Sequence, residues 1–243
     1  MSKAVVVLSG GMDSVTLLHR IRKEGFEPLP ITFFYGQKHA TREIGFARYW
    51  ADKFGVRHEV VDLGSLTQLL QSSALVDIGQ EVPEGHYAAE NMKATVVPNR
   101  NMIMLSIATA YAVDQKAEMV ATGVHGGDHD IYPDCRPNFV NAAEKAAQLG
   151  NEGFANDPFY FYAPYIMQRK EDIALDGEAL GVDWTVTWSC YKGGELHCGK
   201  CGTCVERKEA FELAKVKDPT DYEDRRVDIP GLGVSVKKGL LDG

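Results

Sequence analysis

Apolar positions along the chain alternate between two rhythms. Short, mainly apolar runs at residues 4–8 and 28–35 are each followed by a stretch with helical spacing. Val15, Leu17, Leu18 and Ile21 follow the first run; Ile44, Ala47, Tyr49, Trp50 and Phe54, within about 41–54, follow the second. A short apolar run that gives way to 3.6-residue periodicity predicts a strand and then a helix. Residues 56–63 read as a third strand. Three β units joined by helices at this spacing predict an α/β fold, a right-handed, doubly wound parallel sheet of Rossmann-like type.

The rhythm breaks at residues 72–99, a polar stretch with Pro83, Gly85 and Pro98. A loop of that length in a compact domain is a lid, a binding segment or disorder. Residues 102–113 are apolar nearly all round and predict a buried helix. A strand at 119–124 ends at His125-Gly126-Gly127-Asp128, and a helix follows at about 138–149. After the aromatic segment 159–165 come a helix at about 168–180 and an expected strand at 184–188. No repeat or low-complexity tract is present. The charged, Gly/Pro-punctuated tail beyond Asp218 is expected to be irregular or loosely packed. Ligands of open α/β sheets bind beyond the carboxyl ends of the strands, so the turns after Leu8, Tyr35 and Val124 are expected to face one crevice.

Bulk properties narrow this picture. The 243 residues suit one sizeable domain, and a net charge of −8 argues against a broad nucleic-acid surface, though not against a single nucleotide in a pocket. The longest apolar stretch is too short to cross a bilayer, and the N-terminus lacks the length of a signal peptide, so a cytoplasmic protein without membrane contact is expected. The five cysteines are an odd number, and four of them crowd between Cys190 and Cys204. In a cytoplasmic chain such crowding points to metal rather than disulfides.

Two stretches carry candidate chemistry. Ser9-Gly10-Gly11-Met12-Asp13-Ser14 sits between the first strand and the first helix, where unpaired amides and the positive end of the helix dipole suit a phosphate. The simpler reading is an ordinary turn with Asp13 or Ser14 capping the helix. It is not a Walker loop, which needs a lysine absent here. The second stretch spaces Cys190, Cys198, Cys201 and Cys204 so that four thiolates suit tetrahedral, structural zinc. Gly199 and Gly202 leave room for amides to turn toward the sulfurs. Four packed, reduced cysteines are the plainer alternative. An iron–sulfur cluster of the bacterial ferredoxin pattern would need a cysteine where Lys208 stands. His197 could replace a thiolate ligand but is expected to face solvent beside the site, with Lys192, Lys200 and Arg207 softening the site's charge.

The loop matches S-G-G-x-D-S, the pyrophosphate (PP) loop of the ATP pyrophosphatases. With Tyr35-Gly36-Gln37-Lys38-His39, Arg100-Asn101, Tyr132-Pro133-Asp134-Cys135-Arg136 and the cysteines, the chain resembles the 7-cyano-7-deazaguanine synthase family of the queuosine pathway. The likeness runs from Ser2 to about Ala214. It implies one PP-loop domain over 1–243 with a zinc-binding segment at 188–215. It further implies a C–N ligase that uses ATP and ammonia to turn a 7-carboxy-7-deazaguanine into the nitrile, through adenylated carboxylate and adenylated amide.

Residue by residue, the resemblance assigns the ATP phosphates to Leu8, Ser9, Gly10, Gly11, Met12, Asp13, Ser14 and Val15, with Asp13 also positioning Mg2+. Asp13, Ser14, Arg100 and Lys170 form the implied catalytic set. Lys170 has a solvated helix lysine as its plainer reading, and Arg100 an ion pair beneath the lid. Tyr35, Gln37, Asp128, Tyr132, Asp134 and Arg136 are assigned to the acceptor base, Asp134 as a partner for its guanine-like edge. Tyr132 or Phe34 would stack on a ring, and Cys135 is read as pocket lining. Asn99 and His129-Asp130-Ile131 depart from the family pattern beside the expected purine pocket. Competing readings are an amide-forming ligase, a tRNA thiolase, or a zinc-bearing nucleotide sensor without catalysis. No direct nucleic-acid contact is expected; a homodimer is one arrangement the sequence leaves undecided.

Overall fold

The structure is a computed structural model that describes residues 1–70 and 72–225, with the backbone of two short strands at Val227–Asp228 and Ser235–Val236. Its centre is β1 (Lys3–Val7), flanked by β2 (Glu27–Phe34) and β4 (Met119–Ala121), with β3 (Glu59–Asp62) and β5 (Tyr160–Tyr162) outside them. All five are parallel, in the order β3-β2-β1-β4-β5. Ala4, Val5 and Val6 are fully buried, as a strand covered on both faces requires. This is the doubly wound sheet expected from the alternating rhythm. β2 and β3 are added on one side of β1, and β4 and β5 on the other; this reversal of strand order at β1 and β4 opens a crevice beyond their carboxyl ends.

α1 (Met12–Lys23), α2 (Ala40–Phe54), α5 (Lys170–Ala179) and α6 (Gly202–Ala214) cover one face. There Leu17, Leu18, Ile21, Trp50, Ile173 and Phe211 share a core. α3 (Arg100–Asp114) and α4 (Pro137–Gly150) cover the other, through Leu105, Ala108, Val140 and Ala143.

Three expectations are corrected and a fourth, on the tail, is narrowed. β3 is shorter than 56–63 and pairs only from Glu59, opposite Ile31. Pro28 and Pro30, upstream in β2, lack the N–H that a longer partner would need. α3 is not buried all round: it buries Leu105, Ala108, Thr109 and Ala112, while Ser106 and Ala110 are exposed, since only one side of it meets the sheet. The expected strand at 184–188 is a 3-10 turn, Trp184–Val186. Its apolar residues are anchors instead, Trp184 edge-on to Phe211 and Trp188 stacked on Phe46. The tail is irregular but tightly held as far as Arg225: Thr220 and Tyr222 are buried, and the Tyr222 hydroxyl donates to Asp218 Oδ2 at 2.6 Å. The rest of the tail, apart from the two short strands, lies outside the described residues.

The 72–99 segment is ordered and packed against the domain. It carries a 3-10 helix, Glu90–Thr95, and buries Ala74, Leu75, Val82, Tyr87, Met92 and Val97. Apolar anchors spaced without period hold it down, so it showed neither helical nor strand rhythm in sequence.

Candidate active site

The loop after β1 is shaped by close backbone approach. Gly10 has φ +78°, and a Cβ there would lie 2.7 Å from the Glu43 carbonyl oxygen and 2.9 Å from the Ala47 nitrogen. Only glycine allows α2 to press so closely on the turn. The two serines close the loop on itself. Ser14 Oγ accepts the Ser9 N–H at 3.1 Å and donates to Gly11 O at 3.1 Å, while Ser9 Oγ accepts the Gly11 N–H at 3.2 Å. No side chain caps α1, so neither Asp13 nor Ser14 takes the capping role. The first-turn amides and the positive helix end therefore stay available at the crevice.

Lys170, at the start of α5, reaches into this crevice. Its Nζ lies 2.6 Å from Asp13 Oδ2, 3.1 Å from His125 Nε2 and 3.4 Å from Glu206 Oε2. It is not a solvated surface lysine. Burial alone would lower its pKa; Asp13, Glu206 and Asp128 outweigh burial and hold it above the ordinary value, so the ammonium is firmly charged. Asp13 Oδ1 is buried without a hydrogen-bond partner among the described residues. Burial raises the Glu206 carboxyl, with Lys170 and His125 opposing.

Across the same cavity stands Arg100. Its guanidinium donates to the Tyr35 hydroxyl at 3.3 Å and lies 5.9 Å from the ring centres of both Tyr35 and Tyr132. No acidic side chain among the described residues pairs with it, so the ion pair beneath the lid is not formed. Burial opposes its charge, yet the surrounding tyrosines and Cys135 keep its pKa well above the ordinary value. A half-buried guanidinium with no carboxylate partner among the described residues leaves room for an anionic ligand.

Asp128 accepts the Tyr87 hydroxyl at 2.9 Å and the His125 N–H at 3.2 Å. Burial alone would raise its pKa; His125 and Lys170 prevail and hold it below the ordinary carboxylate value. Tyr132 shares a 2.6 Å hydrogen bond with Thr95. Burial pushes the Cys135 thiol up, which suits a lining residue rather than a nucleophile.

Leu8, Ser9, Gly11, Met12, Asp13, Ser14, Tyr35, Arg100, Asp128, Tyr132 and Lys170 all line this one cavity. Gly10, Val15, Gln37, Asp134 and Arg136 do not. Gln37 braces the turn after β2, bonded to the Tyr35 N–H, Phe33 O and Glu43 Oε2. Asp134 holds the first turn of α3 by accepting the Asn101 N–H at 3.0 Å. Arg136 donates to His129 O at 2.8 Å at the surface. Sequence reasoning gave no role to His125, Glu206, Tyr191 or Glu43. His125 stood in a quoted turn, but the others belong to remote segments that carry no local signal.

The cysteine segment closes one side of the crevice. Sγ atoms of Cys190, Cys198, Cys201 and Cys204 all lie within 4.8 Å of one another, buried. The Cys198–Cys204 and Cys190–Cys201 pairs are each 4.0 Å apart. Sulfurs ~2.3 Å from one tetrahedral ion would sit ~3.8 Å apart, so the set can hold a metal ion with little change. Cys198 Sγ faces the N–H groups of Lys200 at 3.4 Å and Cys201 at 3.2 Å, which offset thiolate charge.

Two neighbours depart from expectation. His197 is buried rather than solvent-facing: its ring lies 4.1 Å from that of Trp188, and Nε2 accepts the Ser189 N–H at 3.1 Å. Arg207 is fully buried and braces the segment through Thr187, Ser189, Trp184 and Asp218. Gly199 has φ +74°, and a Cβ would fall 1.9 Å from Asp224 O. Gly199→Ala is therefore expected to cost about 3 kcal/mol, read as an earlier urea midpoint.

Curated relatives share this sequence closely. The chain is 53% identical over 222 residues to the 7-cyano-7-deazaguanine synthase of Rhizobium rhizogenes, covering 91% of this chain and 92% of that one. It is 51% identical to the Brucella anthropi protein of the same name, over 91% of this chain and 94% of that one. The Psychromonas ingrahamii counterpart is 49% identical over 91% of this chain and 98% of its own. Residues 3–215 match the model of queuosine biosynthesis protein QueC, and the chain belongs to that family.

Proposed function

We propose that this protein is an ATP- and ammonia-dependent ligase that converts 7-carboxy-7-deazaguanine into 7-cyano-7-deazaguanine. One observation carries the reading from family to site. A single cavity joins a phosphate-type loop and a charged lysine to a half-buried guanidinium with no acidic partner among the described residues. ATP phosphates fit the first half, and a flat carboxylated base walled by Tyr35, Tyr132 and Tyr191 fits the second.

The atoms dictate the course. A carboxylate carries two oxygens and a nitrile none, and neither oxide nor hydroxide leaves readily at neutral pH. A carboxylate oxygen attacks the α-phosphorus of ATP and pyrophosphate departs. Ammonia then attacks the acyl carbon and AMP leaves, giving the amide. The amide oxygen attacks a second ATP, and loss of AMP with protons gives the nitrile. The α1 amides and Lys170 hold the departing pyrophosphate in both rounds, and Arg100 orients the carboxylate. Asp13 would hold Mg2+ that travels with ATP, since its Oδ1 is buried without a partner. Cys190, Cys198, Cys201 and Cys204 would hold structural zinc, with no open position for chemistry.

In this reading the chain is one catalytic domain whose 188–215 segment bears the metal, acting on small molecules in the cytoplasm. No helix among the described residues is long and apolar enough to cross a membrane. Mass spectrometry of products made from ATP, ammonium and the ¹⁸O-carboxylated base tests it. Two AMP and no ADP per nitrile are expected, with both labels in AMP. Label in water, ADP, or the amide as end point would overturn the assignment.

A further inference from the structure

The crevice contains an acid–base pair, a buried histidine and a partly buried glutamate, that phosphate and carboxylate binding do not use. His39 is 2% exposed, and its Nδ1 lies 3.1 Å from the Tyr191 carbonyl oxygen. A carbonyl only accepts, so Nδ1 carries the hydrogen and the Nε2 of a neutral ring presents a bare lone pair. The nearest acid oxygen to Nε2 is Glu43 Oε1, 3.5 Å away. The other Glu43 oxygen is already occupied by the Gln37 amide at 3.0 Å. Two acceptors thus face each other with no hydrogen between them, and both residues line the cavity. Such a pair calls for a small cation with several N–H donors. Burial is the main influence on His39 and lowers its pKa; Glu43 opposes burial, while Arg100 adds to it, so the ring is neutral when the site is empty.

We propose that His39 Nε2 and Glu43 Oε1 form the ammonium site, in which His39 takes a proton from ammonium to release the nucleophile. This rests on the ammonia-dependent reaction proposed above. Ammonium, the main form in neutral water, donates one N–H to each acceptor. Transfer of one proton to Nε2 leaves ammonia with a free electron pair and an imidazolium paired with the Glu43 carboxylate. The ammonia nitrogen bonds to the adenylated acyl carbon, the carbon–oxygen bond breaks with its electron pair leaving on AMP, and the nitrogen sheds a proton to water to give the neutral amide; the imidazolium then returns its own proton to water. The positions of Glu43 and Gln37 explain the brace. Gln37 fixes one carboxylate oxygen so that the other faces His39.

The test separates the ammonia step from adenylation. Carboxylate-dependent exchange of labelled pyrophosphate into ATP, without ammonium, reports adenylation alone. His39→Asn keeps an N–H for the Tyr191 carbonyl but has no basic nitrogen. It is expected to lower kcat/KM for ammonium on the order of 10²-fold. The KM for ATP in the exchange reaction should stay within about twofold. Hydroxylamine, whose nitrogen is already neutral at pH 7, should restore most of the lost rate as the hydroxamate. Glu43→Gln should raise the KM for ammonium in the same way. Unchanged ammonium kinetics in both variants, or His39→Asn and Glu43→Gln both losing exchange, would overturn the proposal. Wild-type protein without any carboxylate-dependent exchange would instead overturn the underlying reaction, and this inference with it.

Discussion

Lys170→Met is expected to lower carboxylate-dependent pyrophosphate release on the order of 10³-fold, the upper end for loss of one charge-stabilising contact. The cation is only 12% exposed, held 2.6 Å from Asp13 and 3.4 Å from Glu206, and nothing else of positive charge contacts Asp13 among the described residues. Methionine keeps the length of the side chain but leaves pyrophosphate without its fixed charge. The same substitution leaves the buried Glu206 and the partly exposed Asp13 without their cation, so a stability loss of about 2 kcal/mol accompanies it. Activity is therefore compared at a temperature where circular dichroism shows both proteins folded. In an Asp13→Asn background the further loss from Lys170→Met should be smaller, because the two act as one unit. Wild-type turnover in folded Lys170→Met would place the phosphate charge elsewhere.

What was legible beforehand follows the range of each interaction. The strand, glycine turn and helix at residues 3–23 are local, and an apolar run meeting two glycines marks them unaided. The cysteine set was legible because three of its ligands lie within seven residues and pattern as C-x-x-C-x-x-C. Long-range partners were not. Glu206 reaches Lys170 only because α6 packs on α5, and nothing around residue 206 signals that contact. Polar residues at the expected base pocket divide for the same reason. Asp128 and Tyr132 face the cavity, whereas Asp134 turns to an α3 amide and Gln37 to its own turn. A side chain with two acceptors fits either use, and only the path of the backbone decides. Trp184 and Trp188 looked like strand residues because anchoring tryptophans and strand tryptophans have the same composition.

Removing the metal is expected to undo more than the cysteine segment. Cys201 bridges in antiparallel fashion to Glu84, and the Gly85 N–H donates to Lys200 O at 2.9 Å, so the ligand loop holds the 72–99 segment by its backbone. Gly202 lies against Met92 and Tyr87, where a Cβ would meet the Met92 sulfur at 2.7 Å. Tyr87 in turn holds Asp128, and Glu206, two residues beyond Cys204, holds Lys170. One ion would thus tie together the covering segment, Asp128 and Lys170. Structural zinc contributes about 10–16 kcal/mol in small domains, comparable with the whole stability of a typical protein. Cys201→Ser should therefore yield little soluble protein. Chelation of the wild type should expose 72–99 to protease before the sheet unfolds, with ATP-dependent turnover lost at the same stage. Elemental analysis should find one zinc per chain. An iron–sulfur absorption band, or full stability and an intact 72–99 segment after chelation, would show that the four sulfurs do not hold the fold through zinc.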